Sequence, residues 1–438
     1  MSGDYLDIHY ARTRTPDAPR RRLEGHHKTQ VCIIGGGLAG LTTALGLAER
    51  GVTDVILLEA ERVGWGASGR NGGFVSPHYA AGTDNLIAKV GLDHTRDLIK
   101  LSRQAVDLVK ERIGRYAIDC GPNPEGNLEA SWFNDPDGLK RAIEFEAEEF
   151  GEHMDFIPRE RLRDEYVASD MYFDGAMHHG CFWFHPLNYC LGIARKAEGV
   201  GVRIYEDSVA LSLVSEDGSG TVTTDRGMVE ADEIVVTTGA YDQTLVPELG
   251  GAFQPVATYI IVTEPVDEAL ISSTIKCHQA VADDRFSLDY YRRLEDNRIL
   301  WGGRGSTRTT EPYNLRALMQ GDMLKVYPEL AEVGVDMAWG GLMSYAVHHM
   351  IQTGRLRQGL WYAQGFGGQG MAQTTVAGEA LAGAIAGGDD TIDLFAPFGL
   401  PWAGGPIGKA YGEIFRVFVR TRDRIATARD RRIAKARP

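Results

Sequence analysis

Several features that would mark common protein classes are scarce or missing from this sequence. Its five cysteines are odd in number, scattered and free of CxxC spacing, which argues against a disulfide framework and against a zinc site. No cluster of His, Cys and Asp has metal-ligand spacing. No stretch reaches the ~18 apolar residues of a membrane span, and no export signal precedes the first apolar run. We therefore expect a cytoplasmic protein without a metal ion.

Positive charge is also scarce, except at the C-terminus. The net charge of −14 argues against nucleic acid as a partner, because phosphate binding needs a basic face. From residue 416 to the end, nine Lys or Arg residues accompany only Asp423 and Asp430, so this segment carries +7 and the remainder −21. A solvated terminal helix explains this asymmetry, and a helix that docks on a membrane surface is the alternative.

Glycine, in contrast, is abundant. The 438 residues include 53 glycines, against the roughly 30 that average composition gives, and they follow no three-residue period. Tight turns and close backbone approaches account for such an excess better than collagen does. The chain length predicts two or three domains.

Residues 31–59 read "VCIIGGGLAGLTTALGLAERGVTDVILLE" and predict a strand, a glycine turn, a helix and a second strand. Gly35, Gly37 and Gly40 supply the tight turn, the bare backbone beside a pyrophosphate and the close packing of helix on strand. Glu59 ends the second strand, where a carboxylate accepts hydrogen bonds from the ribose of an adenosine and repels the 2′-phosphate of NADP. The stretch therefore predicts a site for a dinucleotide.

Two further glycine-rich segments favour FAD over NAD. The loop "ERVGWGASGRNGGF" follows Glu59 directly and suits a second run of contacts along a pyrophosphate and a flavin. Later, a strand "LWYA" enters "QGFGGQGM", and a small-residue helix follows over residues 374–386. A glycine loop at a helix N-terminus again suits negative charge.

The strings "VCIIGGGLAGL", "VILLEAERVGWGASGRNGG", "HPLNYCLGIARKAE", "DYYRRLEDNRILWGG" and "GFGGQGM" resemble the FAD-dependent D-amino-acid oxidase superfamily, which includes the glycine and sarcosine oxidases. Within it, the similarity is closest to the γ-glutamylputrescine oxidases, and it covers nearly the whole chain. The resemblance implies an α/β fold with a discontinuous Rossmann-like FAD-binding domain and an α+β substrate domain with a mainly antiparallel sheet. It places the FAD-binding domain at 27–85, 186–250 and 340–400, the substrate domain at 86–185 and 251–339, and a C-terminal extension with a basic helix at 401–438.

The resemblance also implies which residues contact FAD. They are the residues of the first glycine turn, the ribose acid, the loop after it, two positions in the middle of the chain and the second glycine loop: Gly35, Gly37, Leu38, Ala39, Gly40, Glu59, Ala60, Arg62, Gly66, Ala67, Ser68, Arg70, Asn71, Gly72, Gly73, Val209, Gly239, Gly367, Gly368, Gln369, Gly370 and Met371. The string "WGGLMSYAVHHM" lacks the cysteine that holds flavin covalently in sarcosine oxidases, which predicts a noncovalent FAD.

The chemistry implied is oxidation of a C–N bond, with hydride transfer from the carbon beside a neutral amine to flavin N5 and hydrolysis of the imine by water. Gly368 and Gln369 are the predicted positioning groups beside the flavin, although the family often has histidine where Gln369 stands. His348 is a candidate for taking a proton, with a structural histidine as the equal alternative. The sarcosine-oxidase lysine near flavin N5 is replaced by Leu300 or Trp301, so the acceptor is either O2 or another oxidant.

Candidate substrate residues are Tyr259, Tyr290 and Trp301, which either enclose the substrate or fill a core. Arg292 or Arg304 is the candidate for pairing with a carboxylate, because Met343 stands where glycine oxidases have the arginine for the α-carboxylate.

We therefore expect an FAD-dependent oxidoreductase acting on a small, carboxylate-bearing amine such as γ-glutamylputrescine, to give an aldehyde and an amine. The alternative substrate is an N-substituted glycine such as iminodiacetate, giving glyoxylate and glycine. A noncatalytic or membrane-docked flavoprotein is the alternative from another class.

Overall fold

The computed structural model describes residues 4–122, 124–216 and 218–436. The chain divides into two compact units. Unit 1 runs from the N-terminus to Gly121 and adds Phe184–Val256 and Leu342–Gly405, whereas unit 2 comprises Pro122–Trp183, Ala257–Gly341 and the residues from Pro406 onward. Within the described ranges, no helix combines the length and the apolar character needed to cross a membrane.

The described chain contains seventeen strands. They are β1 (Gly25–Ile34), β2 (Val55–Leu58), β3 (Phe74–Val75), β4 (Glu125–Ala130), β5 (Met154–Ile157), β6 (Gly175–Trp183), β7 (Arg203–Tyr205), β8 (Ser212–Glu216), β9 (Ser219–Thr223), β10 (Gly227–Val236), β11 (Phe253–Thr263), β12 (Ala280–Asp283), β13 (Tyr290–Arg293), β14 (Ile299–Ser306), β15 (Val335–Ala346), β16 (Gln352–Arg357) and β17 (Leu360–Gln364).

Twelve α-helices of very different lengths accompany these strands in the described ranges. They are α1 (His9–Arg12), α2 (Leu38–Glu49), α3 (Thr83–Val90), α4 (Leu92–Arg115), α5 (Pro136–Phe150), α6 (Arg159–Arg161), α7 (Pro186–Gly199), α8 (Pro247–Gly250), α9 (Glu268–Thr274), α10 (Leu315–Val326), α11 (Gly370–Ala386) and α12 (Gly405–Ala436). A π-helical turn at Leu162–Tyr166 follows α6 directly.

The sheet of unit 1 has the strand order β16-β17-β10-β1-β2-β7, with β9 and β8 added beside β10. Strands β17, β10, β1, β2 and β7 are parallel. The register pairs Ile34 with both Leu58 and Val236, so the carboxyl ends of the three central strands meet at one edge. Residues 31–34 are buried throughout, as expected for a central parallel strand that is covered on both faces.

Two small-residue helices of unit 1, α2 and α11, pack against each other. The Thr42 hydroxyl donates to the Thr374 carbonyl at 3.0 Å, and a Cβ at Gly378 would lie 2.2 Å from the same hydroxyl oxygen. Glycine at this position therefore sets the spacing of the helices, and the predicted small-residue helix after the second glycine loop is α11.

Helix α4 lies in unit 1, although the sequence placed residues 86–185 in the substrate domain. It packs on α11 and buries Leu98, Val106 and Val109. At its C-terminal end, Arg112 forms ion pairs of 2.6 Å with both Glu49 and Glu379. The predicted C-terminal extension also differs from the structure, because the residues from 406 onward belong to unit 2.

The sheet of unit 2 is mainly antiparallel, in agreement with the prediction. Its strand order is β15-β11-β14-β13-β12-β4-β6, with β5 beside β6, and its pair β12–β4 is parallel. The core contains a stack of the Tyr291 and Trp301 rings, whose centroids are 4.4 Å apart. The Tyr291 hydroxyl also lies 2.8 Å from that of Tyr327.

Candidate flavin site and substrate residues

The first glycine turn of unit 1 brings three segments of backbone together. Gly35 has a φ of +113° and donates its N–H to the Leu58 carbonyl at 2.8 Å. A Cβ at Gly40 would lie 2.1 Å from the Gly35 carbonyl oxygen and 2.8 Å from the Thr237 hydroxyl. The turn therefore has no room for side chains at these positions, and the N-terminus of α2 directly follows bare backbone.

Glu59 lies at the end of β2 with its carboxylate turned towards this turn. Its Oε2 accepts from the Gly36 N–H at 2.6 Å, and its Oε1 accepts from the Glu61 N–H at 2.9 Å. Burial raises the pKa of Glu59 to about 7, although both hydrogen bonds act in the opposite direction. A half-buried carboxylate whose hydrogen-bond partners in the described chain are two backbone N–H groups suits additional neutral donors, such as the hydroxyls of a ribose.

The loop after Glu59 packs against the same helix N-terminus. The Ser68 hydroxyl oxygen accepts from the Leu38 N–H at 2.9 Å. The Arg70 guanidinium lies 3.8 Å from the Trp65 ring centroid, and its Nε donates to the Trp65 carbonyl at 2.5 Å. Gly73, with a φ of +81°, passes so close to Phe184 that a Cβ would be 2.2 Å from its carbonyl oxygen. The structure thus places this loop where the sequence predicted it, beside the first glycine turn.

Arg62 differs from the other predicted FAD contacts in that loop. Its Nε lies 2.7 Å from a carboxylate oxygen of Glu206, which is fully buried, and its guanidinium lies 5.3 Å from the Tyr5 ring centroid. The same carboxylate accepts from the Val63 N–H at 2.9 Å. The Arg62 side chain therefore stabilises the loop through its ion pair with Glu206, a residue that the sequence did not indicate.

Two other predicted FAD contacts, Val209 and Gly239, also lie in unit 1. Val209 is 45% exposed in the segment after β7, where the neighbouring Ser208 N–H donates to the Glu59 carbonyl at 2.9 Å. Gly239, with a φ of +57°, begins a short 3-10 turn after β10. Both segments thus follow the carboxyl ends of sheet strands, on the side of the glycine turn.

The second glycine loop precedes α11 and is tightly packed. Gly367 and Gly368 have φ values of +57° and +90°, and the Gly367 N–H donates to the Ser344 carbonyl at 3.0 Å. A Cβ at Gly368 would meet the Met343 sulfur at 3.1 Å and the Tyr345 hydroxyl at 3.3 Å. Sequence reasoning missed Tyr345, although its alternation with Met343 on one strand face was a usable signal.

Gln369 immediately precedes α11, and its side chain is held in place. Its Oε1 accepts from the Ser76 hydroxyl at 3.2 Å, and its backbone N–H donates to the Phe366 carbonyl at 3.0 Å. The free N–H groups at the start of α11 and the positive end of its dipole favour negative charge at this position.

His348 has the environment of a structural histidine. Its Nδ1 accepts from the Met350 N–H at 3.0 Å, and its ring centroid lies 5.5 Å from that of Phe398. Burial lowers the pKa of His348 to about 4. The ring is therefore neutral at neutral pH, and its Nδ1 lone pair is occupied, which does not favour the predicted proton-accepting role.

The two candidate arginines of unit 2 both have internal partners. The Arg304 guanidinium forms two hydrogen bonds with the Asp322 carboxylate, one of them at 3.1 Å from Nη2. Arg292 is 1% exposed, and its guanidinium lies 3.8 Å from the Trp183 ring centroid. These partners lie far from the arginines in sequence, and they leave neither residue as a simple carboxylate receptor.

Of the aromatic candidates, Trp301 and Tyr259 are buried, whereas Tyr290 is partly exposed. Trp301 is fully buried in the Tyr291 stack, which supports the core-filling alternative. The Tyr290 ring covers Gly302 on the neighbouring strand, where a Cβ would lie 2.1 Å from a ring carbon. Tyr259 lies on β11 opposite Gly303, and burial, followed by the charges of Glu311 and Glu413, raises the pKa of its phenol.

The residues of unit 1 fit FAD. The two glycine turns and the N-termini of α2 and α11 provide backbone donors for phosphates, and the carboxylate of Glu59 provides acceptors for a ribose. The Cβ contacts at Gly36 and Gly40 show why the first turn requires glycine: a Cβ at Gly36 would lie 2.9 Å from the Glu59 carboxylate. Fold and site together define a flavin-dependent oxidoreductase with a dinucleotide-binding sheet.

Comparison with known proteins identifies the family. The model of the DAO family, described as FAD dependent oxidoreductase, matches residues 30–384, and the chain belongs to this family. The chain is 34% identical over 394 residues to the gamma-glutamylputrescine oxidoreductase of Escherichia coli, covering 90% of this chain and 92% of that protein. It is 33% identical over 406 residues to the probable oxidoreductase OrdL of Haemophilus influenzae, with 91% and 92% covered.

Solved structures show the same fold. Glycine oxidase from Geobacillus kaustophilus superimposes with a TM-score of 0.71 over 86% of this chain and 99% of that chain, at 20% sequence identity. The predicted family, its α/β fold and its FAD cofactor are therefore confirmed.

Proposed function

We propose that this FAD-dependent oxidoreductase oxidises the C–N bond of a small cationic amine resembling γ-glutamylputrescine, to give an aldehyde and ammonia or a smaller amine. The name of the Escherichia coli relative, a gamma-glutamylputrescine oxidoreductase, supports this substrate class, since the two chains match over about nine tenths of their length. The residues near Tyr259 support it independently.

The observation that carries the proposal is the acidic environment of the Tyr259 phenol. Burial is the largest cause that raises the pKa of Tyr259, and the charges of Glu311 and Glu413 act in the same direction. Burial raises the pKa of Glu413, but the hydrogen bonds from Thr307 and Ser306 outweigh it, so the net pKa is lowered and this carboxylate stays ionised. Two negative charges that act on a predicted substrate residue attract the cationic form in which an amine arrives.

The same charges disfavour a dicarboxylate such as iminodiacetate. A second carboxylate would need a free guanidinium, and both Arg292 and Arg304 have partners within unit 2. Met343 stands at the position that the resemblance assigns to an α-carboxylate arginine, and a thioether supplies no positive charge. We therefore prefer the cationic amine to the N-substituted glycine.

FAD supplies the hydride acceptor when it is bound. In this proposal, Glu59 would hold the ribose, and the N-terminus of α2 would hold the pyrophosphate through its dipole and through N–H groups other than those of Gly36 and Leu38, which already have acceptors. Gly368, Gln369 and the N-terminus of α11 stabilise negative charge, which helps reduction. His348 is left out of the chemistry because burial lowers its pKa and Met350 occupies its Nδ1.

The test is turnover of purified holoenzyme with γ-glutamylputrescine, putrescine and iminodiacetate, measured both as peroxide release and as dye reduction. We expect kcat/KM to be highest for γ-glutamylputrescine, with one of the two readouts identifying the electron acceptor. Equal or faster turnover of iminodiacetate would contradict the proposal.

A further inference from the structure

Helix α12 (Gly405–Ala436) exposes large apolar side chains along one face. Residues spaced three and four apart lie on the same side of a helix, and here they are between 64% and 76% exposed: Ile407, Tyr411, Ile414, Phe418 and Ile425. The Phe415 ring extends this surface, because it contacts the ring of Phe286, which is itself 47% exposed, at a centroid distance of 5.4 Å. A contiguous apolar surface of this kind marks an interaction site.

The opposite face attaches the helix to unit 2. The Thr427 hydroxyl accepts from the Trp132 indole N–H at 2.8 Å, and Asp430 accepts from the Asn134 N–H at 3.2 Å. Val419 is buried, with an exposure of 2%. The helix is therefore amphipathic and held in place, and its apolar stripe points away from the contacts that hold it.

Charge is divided between the two faces in the same way. Asp423 and Asp430 are buried, and Glu413 is hydrogen bonded to Thr307. These three are the carboxylates of α12.

Arginine, in contrast, is exposed on the second half of the helix. The side chains of Arg422 and Arg429 are 63% and 74% exposed, and Arg424 is exposed between them. Each of the first two also contacts the aspartate that follows it in the chain, at 3.4 Å and 3.2 Å. The outward face is thus apolar in its first half and basic in its second half.

We propose that this face of α12 docks on an anionic lipid surface, with the helix lying in the plane of the headgroups. Apolar side chains on one face enter the boundary between headgroups and acyl chains, and the arginines meet lipid phosphates. Residues 1–415 together carry −21 and are repelled by such a surface, so the basic second half of α12 is the part that is drawn to it. A second copy suits this face less well, because pairing two such helices would bring arginines together without exposed carboxylates to meet them.

The test is cosedimentation of the full-length holoenzyme with vesicles of phosphatidylcholine, with and without phosphatidylglycerol. We expect binding to the vesicles that contain phosphatidylglycerol, and a strong decrease at high salt. The triple variant Arg422→Gln/Arg424→Gln/Arg429→Gln should weaken the partition coefficient by roughly tenfold or more, since each cation near an anionic surface contributes severalfold. The double variant Ile414→Ser/Phe418→Ser should abolish binding.

Two exposed residues that are not part of α12 provide matched controls. Tyr313→Ser removes a fully exposed aromatic residue, and Arg115→Gln removes an exposed arginine on α4; both should bind vesicles like the parent chain. Circular dichroism and flavin content verify that each variant is folded. Absence of binding by the parent chain, or unchanged binding by both α12 variants, would overturn the proposal. So would light scattering that shows a dimer dissociated by Ile414→Ser/Phe418→Ser without lipid, because a second copy would then cover this face.

Discussion

Replacement of Glu59 by glutamine should have opposite effects on the flavin-free chain and on flavin binding. Burial raises the pKa of this carboxyl from 4.5 to about 7, so the folded chain binds its proton more tightly than the unfolded chain does. The free energy of unfolding of the flavin-free chain therefore falls as the pH rises from about 4.5 to about 7, and it stays at the lower value above that. This difference between the two pKa values corresponds to a decrease of about 3 kcal/mol at most in the free energy of unfolding.

Glutamine removes this penalty at high pH but also weakens the site. Its oxygen can still accept from Gly36, whereas the Glu61 N–H loses its acceptor at a cost of about 1 kcal/mol. We expect Glu59→Gln to stabilise the flavin-free chain by about 1–2 kcal/mol above neutral pH. We expect the Kd for FAD to rise by roughly 10- to 100-fold, because the ribose loses a charged acceptor.

Urea unfolding of the flavin-free chain between acid and alkaline pH measures the first effect, and fluorescence titration with FAD measures the second. Glu111→Gln, on the exposed side of α4, is the control and should change neither. A Glu59→Gln chain that is less stable than the parent above neutral pH and binds FAD with unchanged affinity would contradict both expectations.

Three further predictions follow from other contacts. Gly40→Ala places a methyl group 2.1 Å from the Gly35 carbonyl oxygen. It should lower the free energy of unfolding in urea by about 1–3 kcal/mol and remove most of the bound FAD. A normal flavin content would contradict the close packing at Gly40. Glu311→Gln should raise KM for a cationic amine severalfold with little change in kcat, whereas an effect on kcat alone would speak against electrostatic attraction. Arg112→Gln removes the buried cation that Glu49 and Glu379 share, while Arg50 still pairs with Glu379 at 2.8 Å. It should cost about 2–3 kcal/mol in thermal or urea unfolding, and a loss below about 1 kcal/mol would show that the ion pairs of Arg112 are dispensable.

The features predicted correctly from the sequence are those that depend on residues close to one another along the chain. The strand, glycine turn, helix, strand and acid of residues 31–59 succeed one another along the chain, so apolar periodicity and glycine spacing were sufficient to predict them. The second glycine loop and α11 were predicted for the same reason. The closeness of Glu59 to Gly36 follows from the meeting of parallel strand ends at one edge of the sheet.

The side-chain environments that the sequence did not show depend on partners far away in sequence. Arg62 turns to Glu206, and Arg304 turns to Asp322; no local pattern shows that an arginine already has a carboxylate partner. The sequence assigned α4 to the substrate domain, whereas the helix lies in unit 1. An amphipathic pattern shows that a helix packs against another element, but it does not show which element that is. Its partner, α11, begins at residue 370.

Anaerobic mixing of the holoenzyme with γ-glutamylputrescine, followed through the visible absorbance of the flavin, shows whether this chain oxidises a cationic amine. We expect the flavin band to bleach at a rate that saturates with amine concentration, while iminodiacetate leaves it unchanged at the same concentrations. A flavin that stays oxidised with γ-glutamylputrescine and is bleached by iminodiacetate would contradict the claim that this chain oxidises a cationic amine.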